Sequence, residues 1–131
     1  MDKRKILIAD DETNIRALVK SMLGKDYIVI EASNGEEAVN ITRSQKPDLV
    51  LMDIMMPKID GYVACSKIKK DQATRAIPVV MVTGVDYGLN EELAMRIGAD
   101  GYITKPFSLE RMHSTINRLL EQHPGDDSRP G

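Results

Sequence analysis

The sequence predicts an α/β fold in which helices cover both faces of a parallel sheet. Five short apolar runs recur along the chain, and segments with helical periodicity separate them. The runs are continuous rather than alternating with polar residues, which is typical of strands that are buried on both faces. Because parallel strands need right-handed crossovers, this order predicts a doubly wound, three-layer sandwich.

The predicted strands are apolar segments that are too short to form stable helices. They lie at residues 6–9, 27–30, 49–52, 79–82 and 102–103. Between the first two strands, apolar side chains recur at offsets of three and four, which predicts a helix that ends at Gly24. Its apolar stripe consists of Ile15, Leu18, Val19, Met22 and Leu23.

Capping residues define the remaining helices. Asn34 is a typical N-cap, and Glu37 completes a capping-box-like start for the second helix, which ends before Pro47. The third helix is predicted over residues 61–70. Gly98 ends the fourth helix and Ser108 caps the fifth. The apolar stripes of these last two helices are Leu89, Leu93 and Ile97, and Leu109, Met112, Ile116, Leu119 and Leu120.

Composition narrows the classes of function. A chain of 131 residues with 42% hydrophobic content fits one domain, since roughly two-thirds of the unfolded surface is buried at this size. The formal charge of -2 and the scattered basic residues supply no field for attracting phosphates, so we expect no direct nucleic acid binding. The single cysteine, Cys65, cannot form an internal disulfide and is interpreted as a packed helix residue.

We expect no signal peptide at the N-terminus. Residues 3–5 are basic, but the apolar run after them covers only residues 6–9 and is followed by two aspartates. No apolar run in the sequence is long enough to span a membrane. We therefore expect a cytoplasmic protein that has no membrane partner.

Side chains that could bind a ligand or take part in a reaction follow four of the predicted strands. They are Asp10, Asp11 and Glu12 after the first strand, Asp53 after the third, Thr83 after the fourth and Lys105 after the fifth. In doubly wound sheets the functional crevice lies at the carboxyl ends of the strands. Converging carboxylates need a compensating cation, and Mg²⁺ suits a site with oxygen ligands. A lysine and a hydroxyl group suit phosphoryl oxygens.

A purely structural explanation of these polar residues is also open. Asp, Thr and Lys commonly end strands and cap helices, so one such residue alone would indicate only a local turn. That explanation weakens because acidic, hydroxyl and basic groups follow four strands at one edge of the sheet. Their co-location depends on the predicted fold.

At these residues the chain resembles the receiver domains of two-component response regulators, of which the chemotaxis response regulator is a familiar single-domain example. The matching residues are the acidic pair Asp10-Asp11, Asp53 within segment 51–61, Thr83, Tyr102, and Lys105 followed by Pro106. Gly84 departs from the alanine that is most frequent at its position. The resemblance covers residues 4–122 and implies a flavodoxin-like sheet with strand order 2-1-3-4-5. We interpret residues 1–122 as the receiver domain and residues 123–131 as a disordered tail or linker stump.

The resemblance implies a phosphoacceptor signalling domain that supports only its own phosphotransfer and autodephosphorylation. Asp53 would take a phosphoryl group from the phosphohistidine of a histidine kinase or histidine phosphotransfer protein. Asp11, Asp53 and the backbone carbonyl of Met55 would bind Mg²⁺ directly, and Asp10 would bind it through water.

Three further residues would bind the phosphoryl group or transmit the signal, again by resemblance. Lys105 and Thr83 would each bind a phosphoryl oxygen, and the bond from Lys105 to Pro106 is usually cis in the family. As Thr83 moves toward the phosphoryl group, Tyr102 would rotate inward from an exposed position. Without the resemblance, Tyr102 would be interpreted as ordinary strand packing. The face of the fourth helix, fifth strand and fifth helix would then change shape for an unidentified downstream target.

Three alternatives remain open. The haloacid-dehalogenase-like phosphatases also use an aspartate nucleophile and Mg²⁺, but they need a second aspartate where this chain has Met55. A flavodoxin-like FMN module would need a Ser-, Thr- and Gly-rich loop at residues 10–12, where the carboxylates would repel a phosphate. The chain also fits a receiver module excised from a larger hybrid kinase or transcription factor.

Overall fold

The computed structural model describes residues 3–84, 88–106 and 108–122, with the backbone but not the side chains at 88–90. The described strands are β1 (Arg4–Ala9), β2 (Tyr27–Ala32), β3 (Leu49–Asp53), β4 (Val79–Thr83) and β5 (Gly101–Thr104). The described helices are α1 (Thr13–Leu23), α2 (Gly35–Gln45), α3 (Gly61–Lys70), α4 (Gly88–Arg96) and α5 (Leu109–Gln122). None of these helices has the length and apolar character needed to cross a bilayer. The predicted tail, 123–131, lies outside the described residues.

The described strands form a parallel sheet in the order β2-β1-β3-β4-β5. This order confirms the predicted doubly wound, flavodoxin-like architecture. β1 lies between β2 and β3, where Ile6 is paired with Val29 on one side and Leu49 on the other. The strands extend beyond the predicted apolar runs, and β3 and β4 end on Asp53 and Thr83. The sheet itself therefore holds these two candidate site residues.

The sheet separates two buried clusters, because successive strand residues point to opposite faces. Ile6 packs in a cluster with side chains of α1 and α5, which we call the α1-α5 cluster. Leu7 packs on the other face with side chains of α2, α3 and α4, the α2-α3-α4 cluster. Cys65 is buried in the second cluster, and burial raises the pKa of its thiol to about 11. Cys65 is therefore a packed helix residue, as predicted.

Side-chain caps confirm two of the predicted helix starts. Asn34 Oδ1 accepts a hydrogen bond from the backbone N–H of Glu37 at 2.8 Å at the start of α2. Glu37 in turn accepts from the backbone N–H of Ser33 at 2.7 Å, one residue before the cap. At the start of α5, Ser108 Oγ accepts from the backbone N–H of Arg111 at 3.0 Å. The bonds donated by Glu37 and Arg111 satisfy helix N–H groups that have no partner within the helix, and the bond donated by Ser33 fixes the chain just before the cap.

Three leucines assigned to apolar stripes are instead exposed. Leu18, Leu93 and Leu109 expose 46%, 41% and 45% of their surfaces, while Val19 and Ala94 beside the first two are fully buried. Helical periodicity identifies the side of a helix that faces the sheet. The width of the covered stripe depends on how closely the helix lies on the sheet, which periodicity does not specify.

Candidate functional site

The candidate site lies at the carboxyl edge of the sheet. Asp10 directly follows β1, Asp53 and Thr83 end β3 and β4, and Lys105 directly follows β5. Asp10, Asp53 and Thr83 are all buried. Two buried carboxylates near one another need a cationic partner, because burial penalises each charge and the charges repel.

Lys105 provides a positive charge between the two buried carboxylates. Its Nζ lies 2.9 Å from Asp10 Oδ2 and 3.7 Å from Asp53 Oδ1. Its backbone N–H donates to the carbonyl oxygen of Thr83 at 2.6 Å, which ties the end of β5 to the end of β4. Burial opposes the charge on Lys105, but the hydrogen bond to Asp10 and the charges of Asp53 and Asp10 outweigh it and raise its pKa. The Lys105–Pro106 peptide bond is cis, as the resemblance implies.

The loop after β1 presents a set of oxygen donors. Carboxylate oxygens of Asp10, Asp11 and Glu12 lie within 4.8 Å of one another, with Asp10 buried and the other two exposed. The backbone N–H of Glu12 donates to Asp10 Oδ1 at 2.9 Å, so the Asp10 carboxylate is held at both oxygens. Clustered carboxylates with an exposed member fit a hard divalent cation such as Mg²⁺, which keeps several waters and uses few protein ligands.

The environment of Asp53 disfavours the ionised form of its carboxyl group. Burial raises the pKa of Asp53 to about 6, with a further increase from the negative charge of Asp10. The Lys105 ammonium and the backbone N–H of Ile54 oppose this increase, and the charge of Asp11 adds to it. The site therefore carries more negative charge than Lys105 compensates, and a bound cation would relieve the excess.

This shift predicts that Asp53→Asn stabilises the metal-free protein at neutral pH. A carboxyl group with a folded pKa above its ordinary value of 3.8 reduces the free energy of unfolding as the pH rises from about 4 through about 6. The full shift corresponds to about 3 kcal/mol, and we expect about 2 kcal/mol because solvent reaches one side of the site. Urea unfolding in EDTA should show this gain at pH 7.5 and almost none near pH 4. A variant no more stable than the wild type at pH 7.5 would contradict the prediction.

The loop that follows Asp53 is packed against two helix starts. The backbone N–H of Gly61, the first residue of α3, donates to the carbonyl oxygen of Ile54 at 2.8 Å. A Cβ atom at Gly61 would overlap the carbonyl oxygen of Asp53, and one at Gly35 would overlap that of Ile59. Both helices therefore approach the loop at distances that only glycine permits.

Tyr102 differs from the expectation. It is half-buried rather than exposed, it packs against the α2-α3-α4 cluster, and its hydroxyl oxygen is inaccessible to solvent. Its place in β5 beside Met81 of β4 accounts for this position, because a side chain on the inner face of a covered sheet is shielded by the helices. The expected exposed starting position is therefore wrong for this structure.

Gly84 does not disturb the site. Among the described residues, a Cβ atom there would meet only Lys105 Cδ, at the ordinary contact distance of 4.0 Å. The departure from the alanine that is frequent in receiver domains therefore has little steric consequence. Val85, which the sequence places two residues after Thr83, lies outside the described residues.

Sequence reasoning missed a residue that contacts the acidic loop. Arg16 of α1 donates from Nη1 to the backbone carbonyl of Asp10 at 2.7 Å and from Nε to Glu31 Oε1 at 3.0 Å. An arginine one turn into a helix carries no pattern that indicates such a bond. Only the pairing of β1 with β2 brings Glu31 beside it.

Comparisons with known proteins agree with the geometry. A family model described as the response regulator receiver domain matches residues 6–117. The chain is 41% identical over 123 residues to a probable transcriptional regulator, ycf27, of Guillardia theta, covering 92% of this chain and 46% of that protein. It is 37% identical over 120 residues to histidine kinase P4 of Formosa agariphila, covering 92% of this chain and 9% of that protein. The chain thus spans about half of the first relative and a small part of the second.

A solved structure shows the same fold. The receiver domain of a sensor histidine kinase from Pseudomonas aeruginosa matches with a TM-score of 0.85 at 26% identity, over 92% of this chain and 99% of that chain. That structure has a magnesium ion coordinated in its active site cleft.

Proposed function

Because this chain belongs to the response regulator receiver domain family, we propose that it is a phosphorylation switch in which Asp53 accepts a phosphoryl group. The placement of Asp53 carries the proposal. It is a buried carboxylate at the end of β3, 3.7 Å from the Lys105 ammonium and electrostatically coupled to Asp10 and Asp11. Phosphoryl transfer requires mainly positioning and charge neutralisation, which this arrangement can supply.

In the proposed reaction, an Asp53 carboxylate oxygen attacks the phosphorus of a phosphohistidine on a histidine kinase or histidine phosphotransfer protein. The P–O bond forms, the P–N bond breaks, and the histidine leaves as a neutral imidazole after taking up a proton. Asp11, Asp53 and the Met55 carbonyl would hold Mg²⁺ directly, with Asp10 acting through water. The ion, when bound, would neutralise charge on the phosphoryl oxygens.

The signal is proposed to pass through β4 and β5. Thr83 would bind a phosphoryl oxygen, and its carbonyl already accepts the hydrogen bond from Lys105 that joins the two strands. A shift of Thr83 would therefore move the end of β5 and change the packing of Tyr102. The face formed by α4, β5 and α5 would then present a different surface to a downstream target.

Phosphoryl uptake tests the proposal directly. Incubation with Mg²⁺ and a small acyl-phosphate donor should add one phosphoryl group in intact-mass spectra, and EDTA should prevent the addition. The adduct should be released by hydroxylamine, which cleaves acyl phosphates but not phosphate esters of hydroxyl side chains. A protein that gains no mass under these conditions would refute the proposed function.

Magnesium affinity is expected to depend on Asp11. Asp11→Ala should weaken Mg²⁺ binding by at least about tenfold, because Mg²⁺ uses few direct protein ligands and dehydrates reluctantly. Lys105→Ala should bind Mg²⁺ at least as well as the wild type, since it removes a competing cation that lies 2.9 Å from Asp10. Isothermal titration calorimetry measures both affinities. Equal values for the wild type and Asp11→Ala would rule out this ligand assignment.

The phosphorylated state is expected to last for minutes or longer. Hydrolysis needs a water aligned with the phosphorus, and the apolar side chain of Met55, which is 73% exposed, cannot orient one. A lifetime of about a minute corresponds to a barrier of roughly 20 kcal/mol. Replacing Met55 with Asn and Val85 with Glu should speed the decay, whereas Met95→Asn, at another exposed methionine, should not. Loss of the phosphoryl group within seconds in the wild type would contradict the prediction.

A second candidate keeps the same chemistry within a longer protein. Related segments occupy 46% of a transcriptional regulator and 9% of a histidine kinase, which favours a receiver module of such a protein. The complete open reading frame distinguishes the two candidates. An aspartyl phosphatase that turns over external substrates is less well supported, because Met55 stands where its second aspartate would be needed.

A further inference from the structure

Arg16 links three parts of the structure near the acidic loop. Its side chain is 15% exposed, and its Nε pairs with Glu31 Oε1 on β2 at 3.0 Å. Nη1 donates to the carbonyl oxygen of Asp10 at 2.7 Å, and Nη2 donates to Thr13 Oγ1 at 3.4 Å. The guanidinium thus bonds to α1, to β2 and to the backbone of the loop that carries the carboxylates. A planar fork of several donors suits this geometry, and a lysine ammonium does not reproduce it.

The bond to Asp10 constrains the direction of the loop. The Asp10 N–H donates to the carbonyl of Ala32 at 3.0 Å, and its carboxylate oxygens accept from Glu12 and Lys105, each at 2.9 Å. The remaining polar atom of Asp10, its backbone carbonyl oxygen, accepts the hydrogen bond from Arg16. Because the peptide unit is planar, fixing this carbonyl also fixes the plane of the bond to the next residue. The bond from Arg16 therefore restrains the direction in which Asp11 leaves β1.

Glu31 allows this contact without adding net positive charge to the site. Its Oε1 binds Arg16, and its Oε2 lies 3.8 Å from Lys20 Nζ. An unpaired arginine beside the carboxylates would repel a divalent cation. The Glu31 carboxylate offsets that charge and also orients the guanidinium plane toward the Asp10 carbonyl.

We propose that Arg16 is a positioning residue for the divalent cation site, which it serves by fixing the Asp10–Asp11 peptide, with Glu31 holding Arg16 in place. The inference rests on the proposed function, since it assumes that Asp10 and Asp11 serve a bound Mg²⁺. It assigns Arg16 no contact with the ion or with the phosphoryl group. Its effect is on geometry, so a substitution that keeps the charge should still weaken binding.

Calorimetric Mg²⁺ affinities at 0.15 M salt test the inference. Arg16→Lys should bind Mg²⁺ about tenfold more weakly than the wild type, the lower end of the loss seen when partners of metal ligands are replaced. Glu31→Gln should bind severalfold more weakly. In the Arg16→Lys background, Glu31→Gln should cause no further loss, because its effect passes through Arg16. A long-range charge effect of Glu31 would persist in that background, which distinguishes the two mechanisms.

Arg43→Lys is the matched control. Arg43 Nε pairs with Asp71 Oδ2 at 3.0 Å, the same type and length of ion pair, but among the described residues Arg43 forms no hydrogen bond or ion pair with the acidic loop or with Lys105. We expect its Mg²⁺ affinity to equal that of the wild type. Urea unfolding of every variant in EDTA gives the free energy of unfolding independently of Mg²⁺. We expect the Arg16 and Glu31 variants to lose more Mg²⁺ affinity than their loss of stability explains, and Arg43→Lys to lose none.

The outcomes separate the inference from the proposed function. If the wild type binds no Mg²⁺, the proposed Mg²⁺-dependent function is refuted, and the inference about Arg16 falls with it. If the wild type binds Mg²⁺ and folded Arg16→Lys binds it equally well, or no more weakly than Arg43→Lys, the positioning role is refuted. If Arg16→Lys does not fold, Glu31→Gln decides, and an unchanged affinity in that variant refutes the inference.

Discussion

Asp53→Asn is expected to abolish phosphoryl uptake from an acyl-phosphate donor in the presence of Mg²⁺. The amide has no carboxylate oxygen to attack phosphorus, and it removes one of the proposed direct metal ligands. Neighbouring carboxylates should not substitute for it. Asp10 is buried, and its two carboxylate oxygens are bound to Glu12 and Lys105. Asp11 is exposed on the loop after β1 rather than at the end of β3.

Intact-mass spectra measure this effect, and Asp60→Asn is its control. Asp60 lies near the acceptor in sequence, but its side chain caps α3 by accepting from the backbone N–H of Val63 at 2.9 Å. Asparagine caps helices about as well as aspartate, so this variant should fold and gain the same mass as the wild type. An Asp53→Asn protein that gains one phosphoryl group would show that another residue is the acceptor.

Gly61→Ala is expected to cost about 3 kcal/mol or more of the free energy of unfolding. A Cβ atom at this position would overlap the carbonyl oxygen of Asp53 and lie 2.8 Å from Ile54 Cα. Both contacts are with backbone atoms, which cannot rotate away as a flexible side chain can. The start of α3 must therefore move from the end of β3, and overpacking of this kind commonly costs about 1–3 kcal/mol before the lost hydrogen bond to Ile54 is counted.

Urea unfolding of Gly61→Ala should be compared with Gly84→Ala. Within the part of the chain that the structure describes, the added methyl group at Gly84 meets only the Lys105 side chain, at 4.0 Å. We expect that change to alter stability by less than about 0.5 kcal/mol, as surface substitutions usually do. Equal stability of the two alanine variants would mean that α3 does not pack against Asp53 as closely as the structure shows.

The sequence predicted the fold and the shared edge because the relevant signals are local. Continuous apolar runs predicted the five strands, and helix caps such as Asn34 and Ser108 formed the expected hydrogen bonds. The parallel arrangement then placed Asp10, Asp53 and Lys105 at one edge of the sheet, as the bridging position of Lys105 shows. Element type and order follow from such patterns because each is decided by neighbours in the chain.

Features that depend on tertiary packing were not predictable in the same way. The contact of Arg16 with the Asp10 carbonyl requires the register that places Glu31 on β2 beside β1. The half-buried position of Tyr102 follows from how closely the helices cover β5, which no spacing encodes. The ion pair between the Lys105 ammonium and Asp10 was likewise not predicted, because it depends on the distance between the ends of β1 and β5. Which charged groups pair in a site depends on the distances between them, and distances between helices and strands cannot be deduced from spacing along the chain.

The division of the core by the sheet also bears on how chains of this kind can diverge. Ile6 and Leu7 are adjacent in the chain but pack in different clusters. A side chain that shrinks at Leu7 can be compensated only by growth on the same face, for example at Val50 or Met81. Substitutions that do not share a cluster should combine additively. Residues of the α1-α5 cluster can therefore change in evolution independently of residues of the α2-α3-α4 cluster. Correlated substitutions between related proteins should occur among residues of one cluster rather than between neighbours along a strand.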